Sequence, residues 1–215
     1  MLRTALACLL TLLAGWAAAS WLTYDFQAWT DEDARRLEVA LRPVPAPPVA
    51  VDGTGVPATT LPALLADGSG VTIADFFYTR CETICLSLGS SFQQLQQALQ
   101  SESNPGVRLL SISFDGAHDG PPVLQAYAQN LQAAAPLWHF VRVRDVAEQQ
   151  ALLQRLGVVV IPNGLGDYEH NAALLVFDGQ GRMVRVFDLA EQQLALNYAR
   201  HLARQQHAAA DAARS

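Results

Sequence analysis

Uncharged, mostly apolar residues run from Ala5 to Leu22, 18 positions, behind a start whose only charged side chain is Arg3. That length approaches the ~20 residues a spanning helix needs. Trp16, Trp21, Tyr24 and Trp29 gather at its far end as interfacial aromatics do, and Asp25, Asp31, Glu32 and Asp33 follow. Residues 1–29 are therefore predicted to be an N-terminal membrane anchor, with the Arg3 end in the cytoplasm and the remainder exported. A signal peptide cleaved near Ala17-Ala18-Ala19 is the rival reading. Aromatic residues continuing past that site favour the uncleaved anchor. Residues 30–48 follow as a short helix, capped by Thr30 with Leu37 and Leu41 on one face, and a stiff extended linker, Pro43-Val44-Pro45-Ala46-Pro47-Pro48.

From residue 49 the pattern alternates between buried strands and amphipathic helices. Val49 to Val56, around the turn Asp52-Gly53-Thr54-Gly55, reads as a hairpin. Val71 to Tyr78 is rich in β-branched and aromatic residues and reads as a central, largely buried strand. A helix follows with Leu88, Phe92, Leu95 and Leu99 on one face. Val107 to Phe114 is a second buried strand, Pro121 to Leu131 a helix, Trp138 to Val143 an alternating strand and Val146 to Leu156 a helix stopped by Gly157. After Pro162 and a Gly-rich loop, Ala172 to Phe177 and Met183 to Phe187 flank the turn Asp178-Gly179-Gln180-Gly181. Glu191 to about Gln205 closes the pattern as a helix with Leu194, Tyr198 and Leu202 stacked. Such an order predicts an α/β domain over 49–207, with parallel strands, helices on both faces and antiparallel edges. Residues 208–215 are predicted to be a disordered tail.

Composition narrows the functions this fold can serve. The chain has 215 residues, 51% hydrophobic and 16% charged, with a net charge of −6. That balance gives no general attraction for nucleic acid. All 14 basic residues are arginine, which excludes Schiff-base and Walker-type lysines.

The three cysteines are more informative. Cys8 falls in the apolar segment and reads as a small apolar residue there. Cys81 and Cys85 stand where a buried strand passes into a helix, and in one helical turn their Cα atoms would lie ~6 Å apart. That suits a disulfide or two thiolates on one metal ion. The helix N-terminus and Arg80 favour the thiolate form. A structural disulfide closing so small a loop adds little stability, so a functional pair is the better account.

Two thiolates need a third ligand to make a good metal site, and there are five histidines. His201 and His207 belong to the last helix and its frayed end. His139 lies between Trp138 and Phe140, facing away from their side, and His118 sits in a loop rich in Asp and Gly. His170 ends the loop Pro162 to Glu169, which can reach the end of the sheet where the cysteines emerge. Position alone leaves it open whether His170 is a ligand or a loop residue.

The run Phe76-Phe77-Tyr78-Thr79-Arg80-Cys81 with Cys85 resembles the SCO/SenC family. So do Ser111 to Asp115 with Asp119, Pro121 and Tyr127, then Trp138 and Phe140, and Asp167-Tyr168-Glu169-His170 before a strand and an Asp-x-x-Gly turn. The resemblance covers Val49 to Phe187. It implies a thioredoxin-like sheet with flanking helices and a copper-binding metallochaperone for the copper-A centre of cytochrome c oxidase. Cys81, Cys85 and His170 are then the ligands of one copper ion, Cu(I) or Cu(II), and the cysteines are also a redox pair. Implied partners are the copper-A subunit or another exported cuproprotein and an upstream copper donor, with the domain on the periplasmic side of the inner membrane. The chain departs from the family pattern at Glu82 and Leu86, where proline is usual after each cysteine, and at Asn171, where serine is common.

Soft thiolates select Cu(I) and imidazole accepts both oxidation states, so the donor set suits copper, whereas a closed zinc site would lack its fourth residue. The alternative is an exported thiol-disulfide oxidoreductase that reduces the cysteines of a cuproprotein, although such enzymes usually space their cysteines by two residues. A peroxidase ranks third, because Thr79 stands only two residues before Cys81. Asp75 is a carboxylate inside an aliphatic and aromatic strand, and Asp75-Phe76-Phe77 resembles the thioredoxin strand that carries a buried aspartate. It is either a proton-exchanging group or a solvent-facing edge residue.

Overall fold

A computed structural model of the chain describes residues 2–66, 70–81, 84–101, 106–164 and 167–212, the side chains of 84–87 excepted. It separates into two compact units, residues 1–42 and 43–215.

In the first unit, α1 (Leu2–Leu22) carries no charge after Arg3 and is long and apolar enough to cross a membrane. Its end is closed by Thr23, whose hydroxyl donates to the Ala19 carbonyl at 2.7 Å, and by the Asp25 N–H donating to the Ser20 carbonyl at 2.7 Å. α2 (Asp31–Leu41) begins at Thr30 with a reciprocal capping box. The Thr30 hydroxyl accepts from the Asp33 N–H at 3.0 Å, and the Asp33 carboxylate accepts from the Thr30 N–H at 3.1 Å. The predicted Leu37–Leu41 face is not the packed one, since Leu41 is exposed and Val39 is buried.

The second unit is built on an eight-stranded sheet. β1 (Val44–Pro45), β2 (Ala50–Gly53) and β3 (Val56–Thr60) precede the short α3 (Leu61–Leu65). Then come β4 (Val71–Phe77), α4 (Ile84–Gln100), β5 (Val107–Ser113), α5 (Pro121–Asn130), β6 (Trp138–Val143) and α6 (Val146–Leu156). A separate pair, β7 (Val160–Pro162) and β8 (Tyr168–His170), leads to β9 (Ala173–Phe177), β10 (Arg182–Asp188) and α7 (Gln192–Ala212). The large sheet runs β1-β10-β9-β4-β5-β6-β2-β3, with β4, β5 and β6 parallel and the outer pairings antiparallel.

Every residue of β4 and β5 is buried, the polar Thr72, Asp75, Arg108, Ser111 and Ser113 included, as befits central parallel strands. α4 lays Leu88, Phe92, Leu95 and Leu99 into the core, and Phe92 packs on Trp138 with ring centroids 5.5 Å apart. Tyr127 of α5 stacks on Phe77 at 5.0 Å. Gly157, left-handed at φ 67°, ends α6 as expected.

Four features differ from the sequence reading. The proline-rich stretch is no free linker. Val44 and Pro45 pair with Met183 and Arg182 of β10, and the Ala46 N–H donates to the Gly181 carbonyl at 3.0 Å. Proline is tolerated there because an edge strand asks for few donors. α7 runs on to Ala212, so residues 208–212 are helical rather than a disordered tail, while 213–215 lie outside the described residues. α7 turns Ala195, Leu196, Ala199 and Ala203 inward and leaves Leu194 exposed, because small side chains let the helix lie close against β4, β9 and β10. Finally, Val160–Pro162 and Tyr168–His170, on either side of the Gly-rich stretch, pair as the β7–β8 hairpin, which stands apart from the main sheet.

Candidate metal centre

The parallel register of β4 and β5 pairs Phe77 with Ser113 and delivers their next residues, Tyr78 and Phe114, side by side at the carboxyl end of the sheet. Their ring centroids are 5.2 Å apart, and the Phe114 N–H donates to the Phe77 carbonyl at 3.0 Å. Cys81 follows in a turn, its N–H donating to the Tyr78 carbonyl at 3.4 Å, and its side chain is buried. α4 begins at Ile84, so Cys81 precedes the helix and Cys85 is its second residue. The Cys85 side chain lies outside the described residues, as do those of Glu82 and Leu86.

Asp119 shapes the turn ahead of Cys81. Fully buried, it accepts from the Thr79 N–H at 3.0 Å, the Thr79 hydroxyl at 2.5 Å and the Ser113 hydroxyl at 2.6 Å. Three donors satisfy the buried carboxylate and fix the loop to the end of β5. Arg80 is engaged elsewhere than the sequence suggested. Its guanidinium donates to Asp115 at 2.6 Å, and the other oxygen of Asp115 receives the His118 Nδ1 proton at 2.7 Å. Asp115 thus offsets the Arg80 charge expected to favour a thiolate at Cys81.

The hairpin brings His170 to the same corner. Asn171 holds its base. The Asn171 side-chain carbonyl accepts from the Val159 N–H at 2.8 Å, and its amide donates to the Gly157 carbonyl at 3.2 Å. At the tip, the Asn163 N–H donates to the Asp167 carbonyl at 3.0 Å. His170 is half-buried, edge-on to Phe114 at 5.1 Å and to Tyr78 at 6.3 Å. Burial lowers its pKa and keeps the ring neutral near pH 7. Nδ1 lies 3.3 Å from the Asn171 carbonyl, which calls for a proton on Nδ1 and leaves the lone pair on Nε2. His201 and His207 are exposed, and His139 is half-buried on β6.

Tyr78 joins the two halves. Its hydroxyl donates to the Asp167 carboxylate and lies 3.3 Å from the Tyr168 N–H, from which it accepts. The same phenol interacts with the Cys81 side chain. Burial and the Asp167 carboxylate both raise its pKa, so it stays protonated. Cys81 and His170, 89 positions apart, thus meet around one phenol ring. Sequence reasoning passed over Tyr78, Asp167 and Asp119 as functional groups. A hydroxyl-bearing residue directly after a buried strand was the signal at Tyr78.

Asp75 is buried in the core, not turned to solvent as one of its two readings had it. Its strand neighbour Ser111 accepts from the Trp138 indole N–H at 3.0 Å, while one Asp75 carboxylate oxygen has no hydrogen-bond partner. Desolvation raises its pKa from 3.8 to about 7.

The donor set fits a soft metal ion. It pairs a buried cysteine with a neutral imidazole whose tautomer is fixed by a backbone carbonyl, the usual support of a metal-binding histidine.

Comparison with known proteins places the chain in a family. Residues 67–204 match the SCO1/SenC family model, and the chain belongs to that family. It is similar to an SCO1 protein homolog of Bacillus subtilis, 29% identical over 123 residues, an alignment covering 56% of this chain and 63% of that relative's length. Among solved structures, a SCO1/SenC family lipoprotein of Bacillus anthracis superposes with a TM-score of 0.66 at 18% identity, over 75% of this chain and 98% of its own. Bradyrhizobium japonicum ScoI, solved with copper bound, superposes at 0.60 with 22% identity, over 74% and 99%. A disulfide switch is described for BsSco, a member of the Sco family of cytochrome c oxidase assembly proteins, which superposes at 0.65 with 21% identity, over 76% and 95%. These likenesses establish a thioredoxin-like fold.

Proposed function

We propose, taking membership of the SCO1/SenC family as the premise, that this chain is a copper-binding metallochaperone for the copper-A centre of cytochrome c oxidase. Cys81, Cys85 and His170 hold one copper ion. The observation that carries this reading is the convergence of Cys81 and His170 on the Tyr78 ring. Two thiolates favour Cu(I) and the imidazole accepts both oxidation states, so the three together suit a cargo that is taken up and handed on. With three protein ligands the ion stays open to ligand exchange with a partner's cysteines.

The cysteine pair is also redox-active. Cys81 and Cys85 form a disulfide by giving two electrons and two protons to a partner's disulfide, which becomes two thiols. Joined in this way the sulfurs no longer bind copper, so loading depends on redox state. α1 anchors the domain outside the cytoplasm, with Arg3 on the cytoplasmic side. The recipient is the copper-A subunit or another exported cuproprotein, and an upstream carrier supplies the metal.

The test is titration of the reduced full chain in detergent with Cu(I) and Cu(II), beside His170→Ala and Cys81→Ser. One copper per chain is expected, with thiolate-to-Cu(II) charge-transfer absorption that His170→Ala weakens. Should His170→Ala bind copper as the parent does while both reduce a model disulfide at the same rate, an exported thiol-disulfide oxidoreductase replaces the metallochaperone.

A further inference from the structure

The β7–β8 hairpin, which carries His170, is a two-stranded sheet separate from the eight-stranded one. Its base is stapled by Asn171, but that staple fixes only the chain near Gly157 and Val159. Beyond it, Ile161 of β7 is exposed. Ring contacts of Tyr168 and His170 with Phe114 hold the other strand by apolar packing, which tolerates sliding. A directional tie comes from Tyr78. Its hydroxyl donates to Asp167 and lies 3.4 Å from the Tyr168 carbonyl and 3.3 Å from the Tyr168 N–H. Tyr78 itself is buried and follows directly on β4, a strand buried at every position.

We propose that the Tyr78 hydroxyl is the latch that holds the β7–β8 hairpin against the cysteine-bearing end of the sheet, which makes Tyr78 a positioning residue for His170. The inference rests on the reading of His170 as a copper ligand. A phenol bonded to a carboxylate is stronger than a neutral pair, and its geometry fixes both distance and angle. It therefore sets where β8 sits, and with it the imidazole one residue beyond Glu169. The same phenol interacts with Cys81, so Tyr78 stands between the two arms of the centre. A phenylalanine at this position would keep the ring contacts with Phe114, Tyr168 and His170 and lose the hydroxyl's bonds, those to the hairpin and the interaction with Cys81, whereas Asp167→Ala leaves the latter in place.

The experiment uses the reduced full chain in detergent, comparing the parent with Tyr78→Phe, Asp167→Ala, His170→Ala and the double variant Tyr78→Phe/His170→Ala. In metal-free protein, amide hydrogen exchange over residues 159–171 should quicken about tenfold or more in Tyr78→Phe, while the amides of β4, β5 and β9 keep their protection. Asp167→Ala should reproduce the effect. Cu(I) affinity, measured by competition with a chromophoric chelator, should fall about tenfold in Tyr78→Phe and Asp167→Ala, yet Tyr78→Phe should cost nothing further once His170 is alanine. Unchanged hairpin exchange in Tyr78→Phe overturns the latch. Faster exchange with unaltered copper affinity, or an equal loss in the His170→Ala background, overturns the positioning role. A parent that binds no copper, or His170→Ala binding as the parent does, defeats the copper reading in arms where Tyr78 is intact. The exchange measurement still decides the latch in that case.

Discussion

The two halves of the candidate centre are held in different ways. Cys81 leaves the end of β4, a strand buried at every position and hydrogen-bonded on both sides, and the turn before it is clamped by Asp119. His170 sits on a three-residue strand of a two-stranded hairpin outside the main sheet, tied by Asn171 at its base and Tyr78 near its tip. Opening the first arm requires unfolding the domain, whereas the second can open by breaking a few polar contacts. That asymmetry suits the proposed copper-carrying role, because one arm keeps its place while the other can yield.

The contrast can be broken most severely from the sheet side. Phe92→Ala, which empties the α4 contact with Trp138, should destabilise the whole domain by about 3 to 5 kcal/mol. Chemical denaturation should register that loss, with both arms losing protection together.

Asp75→Asn tests the sheet half through pH. The folded-state pKa is raised from 3.8 to about 7, so the unfolded chain gives up this proton first. Stability therefore falls as pH rises from about 4 to about 7 and is level above that window. Asparagine should remove the slope and stabilise the protein above pH 7 by at most roughly 4 kcal/mol. Denaturant midpoints measured across that pH range check the prediction.

Smaller effects sharpen the comparison. Asp119→Ala leaves buried donors of Thr79 and Ser113 unanswered and should cost about 2 to 3 kcal/mol in urea unfolding. On the hairpin side, Asn171→Ala removes two side-chain hydrogen bonds at the base. It should cost about 1 to 2 kcal/mol, read as faster amide exchange at residues 157–171 with little change in the protection of β4 and β5. An equal loss of protection in β4 would show that the two halves open together and would end the distinction drawn between them.

Legibility follows the same division. β4, β5, β6 and the buried face of α4 stand out because their burial is continuous or periodic, and hydrophobic pattern reports burial directly. The packed side of α7 was misread because alanines face the sheet, and alanine contributes little to an apolar signal while permitting the closest approach. The β7–β8 hairpin was invisible because its strands are three residues long and its turn is rich in glycine and polar residues. Val44 and Pro45 looked like free linker because proline signals an irregular chain, yet at a sheet edge the missing donor costs nothing.

By itself the sequence determined the central strands, the main helices, the apolar N-terminal segment and the residue types suited to a soft metal. Each is encoded locally, in periodicity, capping and turn chemistry within a dozen residues. Only the tertiary structure decided that Cys81 and His170 meet at Tyr78, that Asp115 takes up the charge of Arg80, and that Asp75 is enclosed. Those outcomes depend on which strands pair across the sheet and how closely side chains pack between them, and residues distant in the chain fix both together.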